Sequence, residues 1–169
     1  NIPVDSYVIA SHGLGFDGLL HFYEDSEEYR DLDLEEAFME FSNWDPDKAK
    51  PYIVEGCPDL RDKLISENTA VGITATALGF YGPQGRYLRL KPKPEDIQGL
   101  LGKFNYKTHR VSNFEMETSG IYGLAKMLGH RALSLNCIVA NRAAGTFSEN
   151  PYARIDEMIT YALDKLTKN

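Results

Sequence analysis

Apolar residues fall along this chain in two alternating patterns. Short runs of β-branched and small apolar residues predict strands, and apolar positions three and four residues apart predict amphipathic helices. The predicted strands are residues 7–10, 19–23, 69–78 and 132–140, and a further strand is predicted to lead into residues 113–117. The predicted helices are residues 33–41, a segment opened by Pro58, residues 95–103, a segment with Ile121, Leu124, Ala125 and Leu128 on one face, and a segment that follows Asn150. This alternation predicts an α/β fold with helices packed on a sheet.

A glycine-rich segment follows the first predicted strand. Gly13, Gly15 and Gly18 have the G-x-G-x-x-G spacing of a dinucleotide-binding fingerprint. That fingerprint needs its last glycine to open a helix, whereas residues 19–23 have the pattern of a second strand. The sequence therefore predicts a glycine-rich turn between strands, and not a phosphate-binding loop.

Composition limits the classes of partner. The chain has 169 residues, of which 43% are hydrophobic and 25% charged, as in an ordinary globular domain. Its formal net charge of −7 argues against a nucleic acid or an anionic membrane as partner. Cys57 and Cys137 are too few for a disulfide framework, and the histidines lack metal-ligand spacing, so we expect no metal. Because a strand is predicted so close to Asn1, we also expect that upstream sequence is missing.

Two carboxylates flank a methionine at a predicted strand–helix junction. Side chains two positions apart in an extended segment point the same way, so Glu115 and Glu117 are predicted to lie side by side, with Met116 on the opposite face. Half-buried carboxylates are costly unless hydrogen-bond donors compensate their charge, and a sugar diol offers two hydroxyl donors. A solvated turn, or acidic residues favoured by a helix dipole, explains these residues equally well.

A loop with defined turns is predicted between residues 79 and 86. Phe80 or Tyr81 can stack on a planar ring, and the Gln84 amide can pair with a ring edge that carries both N–H and C=O. Arg86 can donate to a carbonyl and stabilise negative charge on a departing ring. A planar heterocycle is therefore the candidate ligand, although an ordinary surface loop has the same composition.

Together these motifs resemble the uridine phosphorylases of the nucleoside phosphorylase-I superfamily. Residues 114–117 (Phe-Glu-Met-Glu) resemble the ribose-binding signature of the superfamily, and residues 80–86 resemble the uracil-recognition loop. Residues 139–142 (Val-Ala-Asn-Arg) are similar to a later strand end of the same enzymes. Purine-cleaving relatives carry Ser-Asp there, and their aspartate helps to protonate the purine, which Asn141 cannot do.

The resemblance implies a three-layer α/β/α fold with a mixed central sheet. Residues 1–169 would form one such domain, without the N-terminal part that carries the phosphate-binding elements of the superfamily. The implied reaction is reversible phosphorolysis of uridine to uracil and ribose 1-phosphate, a step of pyrimidine salvage in the cytoplasm. Inorganic phosphate is the co-substrate, and no other cofactor is implied. Family members are homo-oligomers, either dimers or hexamers.

The resemblance also implies a role for each site residue. Glu117 would hold the ribose 2′ and 3′ hydroxyls beside Met116, and Glu115 would contact the sugar or support Glu117. The residues expected to contact the base are Phe80, Gln84 and Arg86. Val139 and Ala140 are also expected to bind the substrate, and the residues expected to act in catalysis are Arg86 and Glu117. Two alternatives stay open: an enzyme for another nucleoside, with a different base loop, and a nucleoside-binding or storage protein without turnover.

Overall fold

A mixed sheet forms the centre of the protein, for which the computed structural model describes residues 2–167. The strands are β1 (Tyr7–Gly15), β2 (Tyr52–Glu55), β3 (Thr69–Thr76), β4 (Asn105–Tyr106), β5 (His109–Glu115), β6 (Leu135–Cys137), β7 (Ala140–Asn141) and β8 (Thr146–Phe147). β1, β3 and β5 are parallel neighbours in that order. β2 and β6 both pair antiparallel with β1, β4 pairs antiparallel with β5, and β7 and β8 form a separate ribbon.

Among the described residues, four α-helices lie on connections between strands, and a fifth follows the last strand. They are α1 (Leu32–Ser42), α2 (Pro58–Leu64), α3 (Ile97–Lys103), α4 (Thr118–Met127) and α5 (Pro151–Thr167). Two of them begin at an aspartate whose side chain caps the first turn. Asp31 Oδ1 accepts the Leu34 N–H at 3.0 Å, and Asp96 Oδ1 accepts the Gly99 N–H at 2.7 Å. No helix in the described range 2–167 is both long and apolar enough to cross a bilayer.

β1 contributes to a core on each face of the sheet, because a register shift between Ala10 and His12 interrupts the alternation that would otherwise place Ala10 and Leu14 on the same face. Leu14 packs with Ile73 and with the α1 residue Phe38 on one face. Ala10 packs with Tyr52 and the α4 residue Tyr122 in the second core cluster. The predicted α/β fold is therefore confirmed as a mixed sheet flanked by helices.

The predicted strand at residues 19–23 is wrong. Gly18 has a φ of +69° and Asp17 Oδ1 accepts the Leu19 N–H at 2.9 Å, so the chain turns into a 3-10 helix, Leu19–Phe22. Leu20 is buried in the second core cluster, whereas Phe22 is 83% exposed. Residues 19–23 have the apolar pattern of a strand, because the sequence of a short segment does not show that Leu20 alone would be buried.

The glycine-rich segment is not the predicted turn, because β1 runs through it as far as Gly15. A Cβ on Gly13 would lie 2.7 Å from Ser119 Cα, and one on Gly15 would lie 2.4 Å from the Tyr52 ring. These two glycines therefore allow α4 and Tyr52 to approach the sheet closely.

The predicted strand at residues 132–140 is much shorter in the structure. β6 pairs only with Tyr7–Ile9 of β1, since β2 takes the positions from His12 to Gly15 along the same side. The apolar run 132–140 also predicts a buried thiol at Cys137, but β6 is only half-buried and Cys137 is a partly exposed free thiol.

Candidate active site

The carboxyl ends of three parallel strands meet at one edge of the sheet. Gly15 of β1 is in register with Thr76 of β3, and Thr76 is in register with Glu115 of β5. The chain continues this pairing beyond the strands, because the Ala77 N–H donates to the Glu115 carbonyl at 2.9 Å. The loop that follows β3 and the acidic motif that follows β5 therefore start side by side. Such strand ends are where α/β proteins place their sites.

The loop after β3 gathers the three predicted base-binding side chains into one cluster. The guanidinium carbon of Arg86 lies 3.6 Å from the centre of the Phe80 ring. Arg86 Nη1 donates to the Phe80 carbonyl and to Gln84 Oε1, each at 2.5 Å. Gln84 is buried, and Gly85, with a φ of +72°, ends the short 3-10 turn Gly82–Gln84. In this arrangement Arg86 covers one face of the ring that was predicted to stack on a base.

Arg142 connects this cluster to the segment that contains Val139 and Ala140. Arg142 Nη1 donates to the Gln84 carbonyl at 3.0 Å. Burial, together with the nearby charge of Arg86, lowers the pKa of Arg142. Val139 is partly exposed, and Ala140 is half-buried in β7. Arg142 was not among the predicted site residues, although the polar pair at positions 141 and 142 of an apolar segment was the available signal.

The two glutamates are not the equivalent pair that the spacing predicts. Glu115 is half-buried at the end of β5, where its Oε1 accepts the Thr76 hydroxyl at 2.6 Å. Its Oε2 accepts the N–H groups of Glu117 and Thr118, both at 2.7 Å. Glu117 is exposed and has φ −133° and ψ −32°, so the segment has already left the extended conformation. Because β5 ends at Glu115, the two carboxylates have different surroundings.

The first amides of α4 are already occupied by side chains. Glu115 accepts two of them, and Thr76 Oγ1 accepts the Ser119 N–H at 2.9 Å. Free amides at a helix start commonly bind anions. Here the amides of Glu117, Thr118 and Ser119 have resident partners, so we do not expect inorganic phosphate to bind to them.

Two concave regions lie away from this sheet edge. One, of about 670 Å³, is lined by residues that include Trp44, Lys48 and Lys93, and the other, of about 350 Å³, includes Glu28 and Arg30. Neither region is lined by a residue of the loop 79–86 or of the acidic motif 113–117. We therefore assign the candidate site from the chemistry of its side chains and not from the shape of the surface. Within residues 2–167, no three His, Cys, Asp or Glu residues converge as ligands for a metal ion.

Comparisons with known proteins show which proteins this chain is similar to. A uridine phosphorylase of Thermococcus kodakarensis is 35% identical over 79 residues, which are 47% of this chain and 28% of that protein. A nucleoside phosphorylase of Trypanosoma brucei that shows uridine phosphorylase activity superposes with a TM-score of 0.79 at 20% identity. A uridine phosphorylase of the oomycete Phytophthora capsici superposes with a TM-score of 0.65 at 18% identity.

The two structural matches cover nearly all of this chain and only part of each solved structure. The chain aligns over 100% and 99% of its own length with the two structures, and spans 60% and 61% of theirs. At these identities the superpositions establish the fold. The family follows from a separate match, in which residues 1–168 fit the family model of the Phosphorylase superfamily. This chain therefore belongs to the phosphorylase superfamily.

Proposed function

We propose that the protein catalyses the reversible phosphorolysis of uridine to uracil and ribose 1-phosphate. The observation that carries the proposal is the register of β3 and β5, in which Thr76 pairs with Glu115. This register brings a loop suited to a planar base next to a carboxylate suited to a sugar diol. Phosphate acts as the nucleophile, so no metal or organic cofactor is needed. The reaction would serve pyrimidine salvage in the cytoplasm.

In this proposal the loop after β3 binds the base and stabilises it as a leaving group. Phe80 stacks on uracil, while Gln84 and Arg86 contact its polar edge. As the bond between the ribose and the base loosens, negative charge moves into the uracil ring, where preorganised donors stabilise it. Arg86 lies over Phe80, and a base entering on that face requires the guanidinium to swing toward the base edge.

The sugar is bound by the carboxylate of Glu117, which is exposed two residues beyond the end of β5. Its Oε2 accepts the Met116 N–H at 3.3 Å, a long contact that ribose hydroxyls can replace. Met116 is also partly exposed and packs against the sugar. Glu115 is tied to the backbone, so we assign the diol to Glu117 alone.

A pyrimidine is favoured over a purine by the surroundings of Asn141. Its Nδ2 donates to the Ile2 carbonyl at 2.9 Å and its Oδ1 accepts the Ala144 N–H at 3.0 Å. A neutral amide can donate hydrogen bonds but is not acidic enough to transfer a proton to a purine leaving group. We expect Val139 and Ala140, which precede it, to line the base site with apolar atoms.

The proposal is tested by binding and by cleavage. Calorimetry measures the affinity of the protein for uridine, 2′-deoxyuridine and inosine. Chromatography then measures uracil release from uridine by the protein at its natural encoded length, with and without inorganic phosphate. We expect uridine to bind in preference to inosine, and uracil to appear only with phosphate. Uracil release without phosphate would indicate a nucleosidase, binding without cleavage a storage protein, and absence of binding would refute the proposal.

A further inference from the structure

One threonine hydroxyl joins the end of β3 to the start of α4. Thr76 is 1% exposed, and its Oγ1 donates to Glu115 Oε1 at 2.6 Å and accepts the Ser119 N–H at 2.9 Å. A hydroxyl has one proton to donate. Because Ser119 supplies the proton in its contact, the proton of Thr76 goes to the carboxylate. The direction of both hydrogen bonds is therefore fixed.

The carboxylate of Glu115 extends this connection to the backbone of Glu117. Its second oxygen accepts the N–H groups of Glu117 and Thr118, both at 2.7 Å. Thr76 and Glu115 together bind three consecutive amides, those of Glu117, Thr118 and Ser119. We call this arrangement the Thr76–Glu115 clamp. It determines where the backbone of Glu117 leaves the strand, although neither clamp residue needs to touch the substrate.

We propose that Thr76 is a positioning residue for the sugar site, acting on Glu117 through Glu115. This inference rests on the proposed function, in which Glu117 binds the ribose hydroxyls. The selectivity for a diol depends on where the Glu117 carboxylate lies relative to both hydroxyls. A displacement of its backbone therefore weakens the binding of uridine, which has both hydroxyls, more than the binding of 2′-deoxyuridine, which lacks one.

Valine in place of Thr76 removes the hydroxyl and keeps the shape of the side chain. The substitution leaves the Ser119 N–H without its acceptor and Glu115 Oε1 without its donor, and Ser119 is fully buried. Unpaired buried groups are costly, especially beside a charge, so the turn has to rearrange. Thr76→Ser keeps the hydroxyl and is expected to preserve the clamp.

Thr74 provides a matched control on the same strand. It is fully buried two positions earlier, and its Oγ1 donates to Asn113 Oδ1 of β5 at 2.7 Å. Thr74→Val therefore removes an equivalent cross-strand hydrogen bond at an equivalent depth. It leaves Glu115 and the start of α4 untouched. A general loss of stability would affect both valine variants alike, whereas loss of the clamp affects only Thr76→Val.

The experiment measures the affinities for uridine and 2′-deoxyuridine by calorimetry for the wild type and the three variants. We expect Thr76→Val to lose about tenfold or more of the preference for uridine, as one hydrogen bond to a charged group is lost. Thr76→Ser and Thr74→Val should keep the wild-type preference. Equal preferences in Thr76→Val and Thr74→Val would overturn the positioning role. A wild type that does not bind uridine would refute the proposed function itself.

Amide hydrogen exchange tests the clamp without a valine variant. Glu117 is exposed, so without a partner its amide would exchange rapidly. In the clamp, the amides of Glu117, Thr118 and Ser119 are expected to exchange slowly in both the wild type and Thr76→Ser. Rapid exchange at all three positions in the folded wild type would overturn the proposal, even if Thr76→Val failed to fold.

Discussion

Glu115 and Glu117 carry the same carboxylate two residues apart, and their surroundings give them different properties. The oxygens of Glu115 accept hydrogen bonds from Thr76 and from backbone amides. Glu117 lies one residue before α4 and is exposed. A carboxylate whose oxygens accept hydrogen bonds from the protein holds the local backbone in place, whereas an exposed carboxylate can accept hydrogen bonds from ligand hydroxyls instead. Roles of single residues here depend on the backbone turn between them.

Replacing Glu117 by alanine should impair the phosphorolysis of uridine far more than that of 2′-deoxyuridine, because only uridine has both the 2′ and the 3′ hydroxyl. The measurement is kcat/KM for each nucleoside in the presence of phosphate. Glu67→Ala is a suitable control, since Glu67 is an exposed glutamate just before β3, at the opposite edge of the sheet. Equal losses on both nucleosides in Glu117→Ala would contradict the diol assignment.

Replacing Arg86 by alanine should lower kcat by a factor on the order of 10²–10³, the effect typical of removing one donor that stabilises developing negative charge. Arg89→Ala is the matched control, because Arg89 is an exposed arginine three residues further along the same loop. Phe80→Ala should weaken uracil binding by about 1–3 kcal/mol through lost stacking. Normal uridine turnover in Arg86→Ala would show that this loop is a surface turn with no role in catalysis.

The candidate residues were recognisable from sequence because their types and spacing are local properties. Phe80, Gln84 and Arg86 fall within seven positions, and the structure brings them into one cluster. The contacts of Thr76 could not be predicted, because threonine is a common residue near the end of a strand and its type alone indicates no special role. Its partners Glu115 and Ser119 are 39 and 43 positions away, and only the pairing of β3 with β5 brings them together.

At the scale of elements, long amphipathic segments were predicted well and short apolar runs were not. α1 and α4 form where apolar positions three and four residues apart predict helices. The predicted apolar face of α4 is wrong, however, because Ile121 and Leu128 are exposed and the helix buries Tyr122 and Gly123 instead. Leu19–Phe22 forms a 3-10 turn, since Gly18 and Asp17 set its start. β6 is limited to three residues by competition with β2 for the same edge of β1. Such competition has no signature within the segment itself.

The packing of α1 against β1 makes the stability of the fold depend on pH. His12 is 5% exposed, lies 3.7 Å from the Asp31 carboxylate at the start of α1, and meets His109 edge to face at 4.8 Å. Burial, and then the neighbouring His109, lowers the pKa of His12 from 6.5 to about 4. The unfolded chain therefore binds a proton below pH 6.5 that the folded protein does not bind until about pH 4.

The free energy of unfolding should consequently fall between pH 6.5 and 4, by up to about 3 kcal/mol from His12. Urea unfolding at pH 7 and at pH 4.5 measures the change. His12→Gln should remove this part of the pH dependence, whereas His130→Gln, at an exposed position after α4, should keep it. The same pH dependence in His12→Gln as in the wild type would show that His12 is not its source.

At the scale of the whole molecule, the alternation of strands and helices was sufficient to predict the fold class, but not the order of the strands. The sheet order β2-β1-β3-β5-β4 depends on contacts between distant segments. The same limit applies to surfaces. The spacing of apolar residues predicted α5 and its apolar side, but it did not predict how much of that side the rest of the chain covers.

α5 leaves part of its apolar side exposed. Ile159, Leu163 and Leu166 are 49%, 57% and 43% exposed, and no described residue of α5 is fully buried. Exposed apolar stripes of this kind commonly mark protein–protein contacts. Since the resemblance also implies a homo-oligomer, we expect the protein to self-associate and to bury this side of α5 against a second copy.

Light scattering coupled to size-exclusion chromatography, over a range of protein concentrations, measures this association. Leu163→Lys places a charge in the apolar stripe and should shift the protein toward the monomer, because burying an unpaired charge in an interface is costly. Thr160→Lys adds the same charge at an exposed polar position of the same helix, and should leave the association unchanged. A wild type that is monomeric at every concentration, or a Leu163→Lys variant that associates as strongly as the wild type, would exclude this side of α5 as the contact.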